Sequence, residues 1–205
     1  GTSRSGATII GALLIGIVIG SLIAIIKYCG EGSKYLKPLC FLCDIYTTVI
    51  RGTPVVVQLL IAYFIIFASS RNGVAIAVFA FGLNSGAYVA EIVRGGIMSI
   101  DNGQFEAGRS LGFNYVQTMI YIIIPQVFKS VLPTLCNEFI VLLKETSIAG
   151  YVGVMDLTKA GALIRGRTFS AFMPLIAVAL IYLVLVVVLT ALVGVLERSL
   201  RKNER

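Results

Sequence analysis

The chain has 205 residues, 58% of them hydrophobic and only 13% charged, whereas a soluble domain carries about a quarter charged residues; this is a membrane protein before it is anything else. It contains no His, which excludes a His-based catalytic triad and a His-ligated metal site. The net charge of +7, in a chain this apolar, reads as positive flanks of membrane spans rather than as a nucleic-acid surface.

A helix needs about 20 apolar residues to cross a bilayer, and five stretches qualify. The first covers residues 5–26 and is uncharged. It is too long for a signal-peptide core and has no evident cleavage site. Gly11, Gly16 and Gly20 lie within it, and the Gly16–Gly20 spacing predicts close packing against another helix. Cys40 and Cys43 form a C-x-x-C in an apolar stretch. Without a second pair they, like Cys29 and Cys136, read as small packing residues. The second span, residues 47–70, carries Arg51 and Gln58. Pro54 after Gly52 marks where it could break and free backbone groups. The third, residues 73–93, places Asn84, Tyr88 and Glu91 at i, i+4 and i+7 on one helix face.

A polar loop over residues 94–125 follows. Glu106 sits where a carboxylate suits a helix start. Ala107 and Gly108 are small enough for a partner surface to approach closely. Gly112 fits a helix end, where a left-handed residue turns the chain, and Pro125 starts or kinks the next helix. The run 113–124 is apolar but too short to span, so it is expected as a surface helix feeding the fourth span. That span, residues 127–147, holds Lys129, Asn137, Glu138 and Lys144. Residues 145–168 are polar and Gly-rich. They read as an outer connector that could meet a substrate-delivering protein or gate a path. The fifth span, residues 169–196, has no charge, and the basic tail from Arg198 to Arg205 anchors it at the headgroups.

Five spans put the termini on opposite sides. With the C-terminus inside, the inner segments hold Lys27, Lys34, Lys37, Arg94, Arg109, Lys129, Arg198, Arg201, Lys202 and Arg205. The outer ones hold Arg4, Arg71, Lys144, Lys159, Arg165 and Arg167. The excess favours N-out, C-in. Neither repeat nor linker divides the chain, so residues 1–205 are expected to form one all-α transmembrane domain.

Polar groups in a span face the bundle interior or a water-filled path. Gln58, Asn84, Ser85, Tyr88, Glu91, Asn137 and Glu138 therefore either bond between helices or line a route for solute, and both readings stay open. Glu138 is costly unless paired, with Arg51, Lys129 and Lys144 as candidate partners. No P-loop occurs: Gly108-Arg109-Ser110-Leu111-Gly112 lacks the Lys. With no evident nucleophile–base pair, an enzyme is disfavoured.

The spacing Glu106, Ala107, Gly112, Ile122, Pro125 resembles the EAA loop of permease subunits from binding-protein-dependent ABC importers. Gly108 and Ile124 depart mildly from the pattern Glu-Ala-Ala, three residues, Gly, nine residues, Ile-x-Leu-Pro. Arg51-Gly-Thr-Pro54 with Gln58, the string Asn84 to Gly96, and the string Asn137 to Ser147 resemble spans of permeases for polar amino acids of the histidine, arginine, lysine and glutamine kind. The resemblance implies a multi-pass subunit of a prokaryotic cytoplasmic membrane that moves a polar or cationic L-amino acid by alternating access. It implies that Glu106, Ala107, Gly108, Arg109, Ser110, Leu111 and Gly112 couple to a cytoplasmic ABC ATPase. ATP and Mg would be bound there, with no cofactor or metal in this chain. It further implies a second permease subunit, the same or different, an extracytoplasmic substrate-binding protein, surrounding lipid, and no nucleic acid. A secondary amino-acid transporter driven by an ion gradient is the rival, and it would carry paired repeats and an ion site in one chain.

Overall fold

The structure, a computed structural model, describes residues 2–30, 32, 34–70 and 72–202. Of the charges weighed for sidedness, Arg71, Arg205 and the side chains of Arg4, Arg201 and Lys202 lie outside what is described. The described residues are helical and contain no strand. Four helices are long and apolar enough to cross a membrane, or five counting one bent pair as a single span.

Helix α1 (Thr2–Gly30) lies along α4 (Gly73–Met98), the most deeply buried span. The glycines make this approach possible. Gly11 meets Val78, Gly16 meets Ser85 and Gly86, and Gly20 meets Val89 and the Gly86 carbonyl. Both series ascend together, so the two helices run parallel. A Cβ on Gly20 would stand 2.7 Å from the Gly86 carbonyl oxygen, so only glycine fits there. Phe81, Leu59 and Leu142 centre the core beside them.

The second span differs from its expected bounds. It begins ten residues earlier, as α2 (Lys37–Gly52), and breaks at Thr53–Pro54. It resumes as α3 (Val55–Ile61), which ends in a π-helical turn over Ala62–Ile66. The two parts meet at 106°. Proline lacks an N–H and drives the residue before it into extended backbone, and Thr53 has φ −117° and ψ 144°.

After α4 come α5 (Gly103–Ser110), a short α6 (Tyr115–Thr118), a π-helical turn (Met119–Ile123) and α7 (Ile124–Glu145). The apolar run over 113–124 is largely helical and feeds the fourth span directly. Tyr115–Val152 is one continuous helical candidate span of 38 residues. Asn114 and Gln117 form a capping box that starts it. Pro125 follows the π-helical turn directly, and its missing N–H leaves a carbonyl of that turn without a helical donor. The segment 146–168 is likewise more than a connector. A 3₁₀ turn (Thr146–Val152) and left-handed Gly153 lead to α8 (Leu157–Thr168). Asp156 caps α8 by accepting from the Lys159 N–H at 2.7 Å, and burial pushes its carboxyl above the usual carboxylate range. Gly161 of α8 seats Val178 of α9 (Phe172–Lys202).

The ends alternate. Ser5 donates to the Met155 carbonyl at 3.0 Å, and Gly73 abuts the Val152 carbonyl. At the opposite end Tyr28 and Tyr115 join hydroxyls at 3.3 Å. The N-terminal end of α1 and the segment after α7 thus share one face, and the α5–α6 loop lies on the other. Helix α9 runs antiparallel to α7, with Glu197 near Lys129 and Tyr182 near Thr146. None of its apolar window is buried.

Candidate functional site

The α5–α6 loop forms a compact hook. Gly103 donates its N–H to Asp101 Oδ1 at 2.6 Å to start α5, and Glu106 falls in the first turn. At the far end, the Gly112 N–H reaches the Arg109 carbonyl at 2.9 Å and the Phe113 N–H reaches Gly108 at 3.0 Å. These are the two bonds of a Schellman ending, and Gly112 adopts the left-handed φ of 80° that it requires. Glu106, Ala107, Arg109, Ser110, Leu111 and Gly112 are exposed. Gly108 is not: it is buried on Thr118, where a Cβ would come within 2.6 Å of the hydroxyl oxygen. Its smallness therefore serves docking of α5 onto α6, not approach by a partner. Phe105 stacks on Tyr115 across the same joint, with centroids 6.1 Å apart.

The polar face of α4 is a seam that holds the broken span. Tyr46 of α2 donates to the Leu83 carbonyl at 2.5 Å. Gln58 Nε2 donates to the Ile50 carbonyl and the Thr53 hydroxyl, both at 2.7 Å, taking up acceptors freed by the break. Its Oε1 accepts from Asn84 Nδ2 at 3.1 Å. The Arg51 guanidinium sits 5.5 Å from the centroid of the Tyr88 ring, a cation–π contact. Glu91 binds Lys27 at 2.8 Å, and Lys27 also binds Asp44 at 2.9 Å. One ammonium thus ties α1, α2 and α4. Lys27 escaped sequence reasoning because it counts there as a flanking charge, and its partner lies 64 residues away.

Glu138 does not pair with Arg51, Lys129 or Lys144. Among the described residues it accepts from the Ser85 hydroxyl at 3.1 Å, a buried bond between α7 and α4. Asn84 Oδ1 is buried without a partner. Asn137, adjacent to Glu138 in sequence, is not brought to this cluster. It is exposed on another face of α7, in a cavity of about 370 Å³ with Lys129, Thr134 and Glu197. Two of the cysteines pack: the Cys40 thiol donates to the Ile26 carbonyl at 3.5 Å and fills the space beside Gly30, while Cys43 is buried; Cys29, expected as a packing residue, is exposed.

A bundle of apolar spans, one broken at a proline, with a short helix carried at one end, is the architecture of an all-α integral membrane protein. Residues 8–202 match the binding-protein-dependent transport system inner membrane components, and the chain belongs to that family. It is therefore a multi-pass inner-membrane protein, and the family implies separate ATPase and permease partners. Its sequence is 37% identical over 199 residues to the arginine transport system permease protein ArtQ of Bacillus subtilis, covering 96% of this chain and 89% of that protein. It is 35% identical over 190 residues to the L-cystine transport system permease protein TcyB of the same organism, covering 91% and 81%. A crystal structure of an amino acid ABC transporter with histidines superposes with a TM-score of 0.87 at 40% identity, covering 97% of this chain and 91% of that one.

Proposed function

We propose that this chain is the permease of an ATP-driven importer for a polar or cationic L-amino acid. The single observation that carries the reading is the hook. A helix locked at both ends and seated through Gly108 on the root of α7 can pass a push to a span without yielding. Glu106, Ala107, Arg109, Ser110, Leu111 and Gly112 contact an ABC ATPase, which binds ATP and Mg, while Gly108 seats the hook on Thr118. The hook then faces the cytoplasm, the N-terminal end of α1 faces outward, and the C-terminus lies inside. A second permease subunit completes the path, because the spans of one chain do not enclose a sealed route. A binding protein delivers solute on the α8 side. Conformational cycling needs the nucleotide-bound ATPase to favour one state of the permease over the other.

The path draws on Gln58, Asn84, Ser85, Tyr88, Glu91, Asn137 and Glu138. A cationic side chain is favoured by Glu138, which is held by a hydroxyl and, among the described residues, by no base. The relatives named above carry arginine and L-cystine in their names, so the class stays polar or cationic. The test is ATP-dependent uptake by the reconstituted complex against all twenty amino acids. Glu106→Lys is expected to release the ATPase and abolish uptake. Uptake unchanged with the ATPase still bound would overturn the assignment of the hook.

A further inference from the structure

Helices α1 and α9 both pack on α7, and a furrow runs between them. Two cavities lie end to end along it. The first, of about 440 Å³, sits at the end away from the hook, between Ile9 of α1, Leu143 of α7, Tyr182 and Leu185 of α9, and Asp156. The second, of about 420 Å³, continues toward the hook between Leu13 and Ile17 of α1, Leu135 and Phe139 of α7, and Leu189 and Leu196 of α9. Ile9 and Leu13 are four residues apart, as are Leu185 and Leu189, so each wall continues along one helix face. From Tyr182 to Leu196 the furrow runs about 21 Å at the helical rise, more than the roughly 15 Å that one leaflet contributes to a bilayer core.

The polar side chains at the head of the furrow are already engaged, with one exception. Ser5 donates to the Met155 carbonyl at 3.0 Å and Thr146 to the Leu143 carbonyl at 2.8 Å, and Tyr182 bonds Thr158. Asp156 Oδ1 accepts from the Lys159 N–H, while the Lys159 ammonium turns to the Gly150 carbonyl at 3.2 Å. Asp156 Oδ2 is buried with no hydrogen-bond partner, in a residue only 7% exposed. A carboxylate oxygen buried unpaired is costly, so the vacancy calls for one cationic donor. A hard metal ion would need several oxygen ligands, whereas the walls here are hydrocarbon. Tyr182 stands at the same level, as aromatic rings do at a membrane interface. What fits is a single ammonium carried on a long apolar chain.

We propose that the furrow binds one phosphatidylethanolamine molecule, its ammonium on Asp156 and one acyl chain laid along α1, α7 and α9. Phosphatidylcholine has no N–H to donate and phosphatidylglycerol has no cation, so the carboxylate selects the primary amine. The site stands whichever solute the chain carries.

The test uses the full complex in vesicles of phosphatidylcholine and phosphatidylglycerol. A trace of phosphatidylethanolamine or phosphatidylcholine with a diazirine on one acyl chain is added, and the cross-linked peptides are mapped after photolysis. The phosphatidylethanolamine probe should mark residues 9–17 and 185–196 about tenfold more than the phosphatidylcholine probe, the order that a hydrogen bond to a charged group supplies. Asp156→Asn keeps a cap for α8 but loses the charge, and it should bring the two probes level; Asp156→Ser should do the same. The readout is the ratio of two probes on one protein, so a lower yield of folded variant does not mimic the effect. Equal marking by both probes in the unsubstituted complex, or a preference that survives both substitutions, would overturn the site. So would marking that avoids the furrow, the result expected if a second subunit covers it.

Discussion

On α4, Asn84, Tyr88 and Glu91 each meet a side chain from α1, α2 or α3. On α7, Ser130, Thr134, Asn137 and Lys144 are exposed out of the chain. Both helices carry polar groups through the bilayer, and in sequence the two sets look alike. The difference is in partners. The α4 seam is met inside one chain by Gln58, Arg51 and Lys27, save for the buried Asn84 Oδ1. On the α7 stripe Ser130 donates to the Val127 carbonyl of its own helix, while Thr134, Asn137 and Lys144 are exposed, a face that meets solute or a second subunit in the importer proposed above.

Substitutions can break or sharpen this contrast. The largest loss is expected on the packed side, where Gly20→Leu should cost about 3 kcal/mol, the upper end for overpacking, because the new side chain meets the Gly86 carbonyl and Val89. Thermal unfolding of the complex in detergent would measure it. Lys27→Met leaves two carboxylates without their cation. Asp44 is 58% exposed and Glu91 30%, so the expected cost is about 2 kcal/mol, in the range for hydrogen bonds to charged groups, with recovery in Lys27→Arg. Asn84→Leu strips Gln58 of its donor and should cost about 1–2 kcal/mol. Asn137→Leu, on the stripe, should change stability by less than about 0.5 kcal/mol while reducing uptake. If the melting temperatures of the two Asn variants fall equally, the contrast between seam and stripe is wrong.

The hook was legible in the sequence because its signals are local: Gly112 ends the helix left-handed, and Glu106 stands in the first turn. The break at Pro54 was legible for the same reason. The glycine face of α1 was legible as packing, but its partner helix was not, since nothing local says that Gly16 meets Ser85. The short apolar run over 113–124 was legible as a helix feeding the fourth span, but not that it joins that span without a break. The cap at Asn114 starts the helix, and a π-helical turn just before Pro125 carries it into α7. Glu138 and Asn137 are neighbours in sequence yet about 100° apart around a helix, so they part company: one is buried on Ser85 and the other faces out.

The unbroken run from Tyr115 to the end of α7 makes a long lever with its handle at the hook. At 1.5 Å of rise per residue, about thirty residues give an arm of roughly 45 Å, so a tilt of about 5° at the handle swings the far tip by roughly 4 Å. In the importer proposed above, the π-helical turn at Met119–Ile123 and the bond missing at Pro133 set how much of a push on the hook reaches Asn137 and Lys144.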